Sequence, residues 1–166
     1  EAKGVVDLTN MVGQNYRLTE IQAAIGREQL KKLDALVAKR RKNCAYIAER
    51  TRDMPGMVPA PERSDSEHVF YMQPFLYDEK VVGVPRARFV EALLAELPGA
   101  SISGGYVKPI YQMPLFGQGP GRCPTVERLW ERGLLLHEMM HAGLDTPDLD
   151  DVVEAFYKVY RHRGEL

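Results

Sequence analysis

His137-Glu138-Met139-Met140-His141 is the arrangement in this chain that most directly suggests chemistry. On a helix, two histidines one turn apart share a face and can hold zinc, with the glutamate as general base. A catalytic zinc also needs a third protein ligand, and the downstream candidates, Asp145 and Glu154, fall at no recognisable spacing. Gly133 and the apolar run 134–136 before the motif, and Gly143 after it, argue against one continuous helix. These residues favour a buried segment ending in a polar turn, and no metal is expected. Lys39-Arg40-Arg41-Lys42 could meet phosphates, but with Asp34 and Glu49 nearby it reads as a solvated stretch of helix. Gly104-Gly105 and the glycines from Gly117 to Gly121 could cradle an anion, yet neither group follows a strand and opens a helix in the dinucleotide manner. Cys44 falls on an apolar helix face and reads as core, and it lies too far from Cys123 for paired metal or disulfide spacing.

The elements that must position such groups can be read from periodicity. The opening 18 residues mix Gly4, Asp7, Asn10, Gly13 and Asn15 with short apolar pieces and predict an irregular segment. Thr19 with Gln22 three residues on forms a capping-box pattern, and Ile21, Ile25, Leu33, Leu36, Val37, Cys44 and Ile47 recur at near-helical intervals. One helix of about 30 residues, over 19–53, is predicted, with Ala23, Ala24 and Gly26 suited to close backbone approach. Pro55 and Gly56 end it, and Pro59 and Pro61 mark a linker. His68 to Tyr77 reads as a strand near a sheet edge because of Pro74. Helices are expected from Pro85 to Leu97 and from Pro124 to Arg132, with a short strand over 100–103 and a long loop from Gly104 to Pro124. The run 134–136 could continue the third helix or form a buried strand. Thr146 as N-cap, Pro147, early aspartates and late Lys158 and Arg161 specify a last helix. The expected fold is a small α+β domain, 54–166, hung on a long leading helix.

Composition bounds the possibilities. The chain has 166 residues, 45% hydrophobic and 27% charged, which suits one globular domain and excludes disorder or a small disulfide scaffold. A net charge of -1 gives no field for nucleic acid, and no apolar run or signal-like start points to a membrane, so a cytoplasmic location is expected. A first residue Glu1 rather than Met suggests a longer parent polypeptide.

The block from Gly13 through Asn15-Tyr16-Arg17-Leu18-Thr19-Glu20-Ile21-Gln22 to Gly26, continuing through Gln29 to Asp34 and Arg40-Arg41, resembles the signature of the pyridoxal-phosphate (PLP)-dependent DegT/DnrJ/StrS sugar aminotransferases. Further similarity follows in order at His68-Val69-Phe70-Tyr71, Arg88-Phe89, Tyr106 to Tyr111, Pro114-Leu115-Phe116, Glu127 to Trp130 and Asp150 to Val159. The resemblance implies the smaller α+β segment of a fold-type I aminotransferase, found in a homodimer, with the Schiff-base lysine in a large N-terminal domain absent from this sequence. It implies that Asn15 reaches the PLP phosphate of the neighbouring subunit. The resemblance further implies that Arg17 meets the carboxylate of a glutamate or glutamine donor, a structural ion pair being the alternative. By the same resemblance, Tyr106, Lys108 and Tyr111 are expected to border the pocket of a keto-sugar or keto-cyclitol acceptor. Tyr111, where many nucleotide-sugar members carry His, leans toward keto-cyclitols. Alternatives are a non-catalytic partner or dimerisation half-protein and, from the histidine motif alone, a zinc metalloprotease.

Overall fold

Four residues, Leu134–His137, are too few and too apolar to declare helix or strand by themselves. In the computed structural model, which describes residues 16–114 and 116–166, they form a strand at the centre of a four-stranded sheet. In chain order the elements are α1 (Glu20–Leu30), α2 (Leu33–Thr51), β1 (Met57–Pro59), β2 (Gln73–Tyr77), α3 (Glu79–Val82) and α4 (Arg86–Glu96). There follow β3 (Ile102–Gly104), α5 (Pro124–Arg128), a π-helical turn (Leu129–Gly133), β4 (Leu134–His137) and α6 (Thr146–Arg161). The sheet order is β1-β2-β4-β3 with every pairing antiparallel, and β4 aligns Leu135 with Phe75 and His137 with both Gln73 and Ile102. Its interior position explains the uninterrupted apolar run, since Leu135, Leu136 and His137 are all buried.

The chain divides into two units, Glu1–Asp34 and Ala35–Leu166. In the first, Thr19 and Gln22 form the expected capping box, the Gln22 N–H donating to Thr19 Oγ1 and Thr19 N–H to Gln22 Oε1. The single helix predicted over 19–53 is interrupted at Lys31–Lys32. There Lys32 N–H bonds the Gln29 carbonyl, three residues back, and the Lys31 ammonium sits 2.6 Å from the Glu28 carboxylate. No residue of α1 is buried.

In the second unit one face of the sheet carries Phe75, Tyr77, Leu135 and Met57 against α2 (Ile47, Cys44), α4 (Phe89, Leu93) and α6 (Val152, Phe156). Phe75, Phe156 and His137 meet with ring centres 5.5–5.7 Å apart. Two expectations change here. β1 occupies part of the expected linker, so β2 is an inner strand and not an edge. Pro74 is tolerated because its carbonyl faces the β1 side, where it accepts from Ala60 N–H just past the end of β1; its missing N–H removes nothing from the ladder to β4. The strand also starts at Gln73 and not His68. Phe70 takes a left-handed backbone (φ 52°), its N–H donating to His68 Nδ1, and Arg40 donates to the Phe70 and Tyr71 carbonyls. Arg40, Arg41 (paired with Glu67) and Lys39 (paired with Asp145) thus tie α2 to its surroundings and are not merely a solvated stretch. Among the described residues no helix is long and apolar enough to cross a membrane.

Arg86, the first residue of α4, is buried. Its guanidinium donates to the carbonyls of Glu131 (2.7 Å), Trp130 (2.9 Å), Leu134 (3.0 Å) and Leu129 (3.4 Å), the end of the π-helical turn and the start of β4. These are carbonyls that a helix end leaves without intrahelical partners, and a planar fork of donors can take several of them at once. Burial pushes the guanidinium pKa down, opposed by the Glu79 carboxylate. Gly104 makes room for it, because a Cβ there would lie 2.6 Å from Arg86 Nε. Replacing Arg86 with methionine should lower unfolding stability by about 3 kcal/mol, as several part-buried carbonyls lose their donor at once. Arg86→Lys should restore less than half, which urea denaturation of the two variants will show.

Candidate functional site

Tyr106, Lys108 and Tyr111 lie on the loop that leaves β3. Gly105, with φ 75°, passes so close to the π-helical turn that a Cβ would sit 2.4 Å from the Trp130 carbonyl oxygen, and its N–H donates to the Leu134 carbonyl at 2.7 Å. The Gly104-Gly105 pair therefore serves close backbone passage and the Arg86 side chain, not an anion. Trp130 Nε1–H then donates to the Tyr106 carbonyl (3.3 Å), which fixes the backbone from which the Tyr106 side chain, 56% exposed, projects. The Tyr71 phenol lies against Tyr106, whose charge and hydrogen bond, followed by the charge of Glu138, push its pKa up.

Lys108 is exposed, and the following Pro109 is buried before a short 3-10 turn, Ile110–Gln112. Tyr111 donates its phenol proton to Glu127 at 2.6 Å, and the same carboxylate accepts from Gly121 N–H at 2.7 and 3.0 Å. The hydrogen bond from Tyr111 holds the Glu127 carboxyl below its usual range, while desolvation and that bond raise the phenol. The loop thus offers phenols, an exposed ammonium and the exposed apolar side chains of Val107, Ile110 and Phe116. Among these residues sequence reasoning reached Tyr106, Lys108 and Tyr111 through the family resemblance. It gave no role to Glu127, Trp130 or Tyr71, whose partners lie far along the chain. Asn15 lies outside the described residues, and Arg17 belongs to the first unit. A separate depression of about 630 Å³, lined by Val58, Leu76, Lys80, Arg128 and Arg132, contains none of the three loop residues.

The zinc motif fails on geometry. His137 ends β4 and is fully buried, Met139 and Met140 form a turn, and His141 is exposed beyond it. Strand and turn do not give the shared helical face that the spacing requires. Each imidazole instead uses Nδ1 locally, His137 accepting from Met139 N–H and His141 from Gly143 N–H. Among the described residues no group of three or more His, Cys, Asp or Glu could hold a metal. Cys44 is likewise no nucleophile, since burial pushes its thiol up to about 12.

The family model described as the DegT/DnrJ/EryC1/StrS aminotransferase family matches residues 3–157. An L-glutamine:2-deoxy-scyllo-inosose aminotransferase from Streptoalloteichus tenebrarius is 31% identical over 98% of this chain and 42% of its own length. A dTDP-3-amino-3,4,6-trideoxy-alpha-D-glucose transaminase from Micromonospora megalomicea is 31% identical over 92% of this chain and 40% of its own. The crystal structure of an aminotransferase from Psychrobacter cryohalolentis superposes with a TM-score of 0.76 at 25% identity, covering 98% of this chain and 44% of that one. The chain therefore spans about two fifths of the length of the relatives it matches.

His137 carries a testable consequence of its burial. Desolvation lowers its pKa from 6.5 to about 3, so the folded protein keeps it neutral while the unfolded chain protonates it near pH 6.5. Its contribution is fully present above pH 6.5 and is lost as pH falls toward 3, at about 1.4 kcal/mol per unit. Urea denaturation at pH 7 and pH 5 should show a stability difference about 2 kcal/mol larger in the wild type than in His137→Leu. Equal differences would mean the imidazole titrates normally.

Proposed function

Because the chain belongs to the DegT/DnrJ/EryC1/StrS aminotransferase family, we propose that it forms the C-terminal part of a PLP-dependent enzyme that moves an amino group from glutamine or glutamate to a keto-cyclitol or keto-sugar. The observation that carries this reading is 31% identity, over 98% of the chain, to a glutamine-dependent aminotransferase of a keto-cyclitol. The fold supports it: an α+β segment with a small antiparallel sheet, matching fold-type I aminotransferases over their corresponding part.

The described residues do not by themselves fit the cofactor. A Schiff-base lysine must sit desolvated against its pocket, whereas every described lysine is exposed or half-exposed, and Lys31, Lys39 and Lys158 are engaged with Glu28, Asp145 and Glu96. The lysine is expected in the part of the relatives' length that this chain does not span. When bound, PLP supplies the electron sink that amino transfer requires.

The chain's own contribution is binding and orientation. From the family resemblance, Asn15 is proposed to donate its amide N–H to a phosphate oxygen of PLP in the neighbouring subunit of a homodimer. Arg17 is proposed to take the donor's α-carboxylate with two parallel hydrogen bonds, which a lysine cannot reproduce. Tyr106, Lys108 and Tyr111 are proposed to border the acceptor, where the exposed Tyr106 phenol and Lys108 ammonium and the half-buried Tyr111 phenol can meet ring hydroxyls and the apolar side chains can exclude water. The composition and the surface described above give no support to a nucleic-acid or membrane partner as substrate.

In the complete enzyme carrying this chain, Arg17→Lys should raise the KM for the amino donor about tenfold and leave the acceptor KM within about twofold. A change confined to the acceptor KM would remove Arg17 from the donor site. Asn15→Ala should release PLP at least tenfold more readily on dialysis, followed by the cofactor's visible absorbance, and unchanged retention would remove Asn15 from the phosphate site.

A further inference from the structure

The loop bearing Tyr111 is closed by one carboxylate. Glu127 receives the Tyr111 hydroxyl at 2.6 Å and the Gly121 N–H at 2.7 and 3.0 Å, so both ends of the 111–121 stretch converge on it. Gly121 has φ 102°, a backbone that lets its N–H turn back toward the helix. Glu127 is itself anchored in the first turn of α5, its N–H bonded to the Cys123 carbonyl at 3.0 Å, and a second bond, Gln118 N–H to the Tyr111 carbonyl at 3.2 Å, closes the loop from within. Gln112 faces the same pair, its amide favouring the charged form of both carboxylate and phenol, and Cys123 also acts on the phenol, favouring its neutral form.

A carboxylate has acceptors only, so the hydrogen between Tyr111 and Glu127 must come from the phenol. The tyrosine oxygen keeps its remaining lone pairs and has no proton left to offer. We propose that Glu127 is the positioning residue of this loop, holding Tyr111 as a pure hydrogen-bond acceptor beside a fixed negative charge. At the Tyr111 oxygen the loop thereby favours ligands that present hydroxyl hydrogens, such as a neutral polyol ring, over ligands that present phosphate oxygens, while the exposed Lys108 ammonium elsewhere on the loop is open to an anion. A phosphate oxygen approaching Tyr111 would find no donor on the phenol and would meet the Glu127 charge at short range. The selectivity half of this inference rests on the reading that the loop borders the acceptor; the positioning half does not.

The test uses the chain labelled with 13C at the tyrosine Cζ, with the Tyr111 signal assigned from Tyr111→Phe. In Glu127→Gln the Tyr111 phenol should titrate closer to an ordinary tyrosine. The Gly121 amide should exchange with solvent at least tenfold faster, while Tyr77, which donates to the Val84 carbonyl elsewhere in the core, should not move. The Tyr77 control separates loss of the clamp from general unfolding, and Tyr111→Phe, which keeps the carboxylate, should retain most of the Gly121 protection. An unchanged Tyr111 titration in Glu127→Gln would overturn the positioning role. In the complete enzyme carrying this chain, titration with myo-inositol and with inorganic phosphate should shift the Tyr111 signal with at least a tenfold preference for the polyol, falling below threefold in Glu127→Gln. Equal preference in both proteins would overturn the selectivity. A Tyr111 signal that depends on Glu127 yet responds to no polyol would overturn the acceptor reading of the loop and leave the clamp standing.

Discussion

A single buried guanidinium holds together the part of the molecule where the candidate site lies. Arg86 gathers carbonyls from the π-helical turn and from the start of β4. A helix that runs directly into a strand must turn several carbonyls away from their usual partners within a few residues. A buried side chain with several N–H groups in one plane can take them together. Arg86 binds this junction without a carboxylate in direct contact through its guanidinium; Glu79 contributes at a distance and accepts the Arg86 backbone N–H. The helix-to-strand conversion that Arg86 supports places β4 in the middle of the sheet, and β4 sets the register of both neighbours.

From that junction two side chains reach the same loop. Trp130, within the π-helical turn, holds the backbone of Tyr106; Glu127, one turn earlier, holds the side chain of Tyr111 and the backbone of Gly121. A widened helical turn is the kind of irregularity that re-aims side chains near functional surfaces, and here it belongs to the segment that carries both anchors. The loop's order is thus inherited from the core through Arg86, the π-helical turn and then two hydrogen-bonding side chains.

Much of the fold was legible because it is locally encoded. The Thr19 and Gln22 cap, the α4 face of Phe89 and Leu93 and the strongly amphipathic α6 need only neighbours in sequence. Even there the cap of α6 shifts by one residue, with Asp145 at the N-cap and the Asp148 carboxylate accepting its N–H. β1 and α3 were missed because prolines and short length hide them, and the edge assignment of β2 failed because the direction of the Pro74 carbonyl is a tertiary fact. The histidine motif misleads for a related reason: its spacing has meaning only at helical pitch, and these residues are extended and then turned. In the candidate site, residue types alone gave little. The loop residues emerged through an ordered resemblance, while Glu127, Trp130 and Arg86 act through partners 16 to 48 residues away, which no local pattern reports.

The sheet order has one more consequence. Its two outer strands, β1 and β3, are three residues each, and one ends in a proline while the other runs into a pair of glycines. An outer strand of that length displays only one or two free N–H and C=O pairs, too few to template a foreign strand, and neither terminus can extend the ladder easily. The uninterrupted apolar segment, β4, is sealed between partners on both sides. The arrangement places the most self-adhesive stretch of the chain where strand exchange between copies would first require opening the sheet.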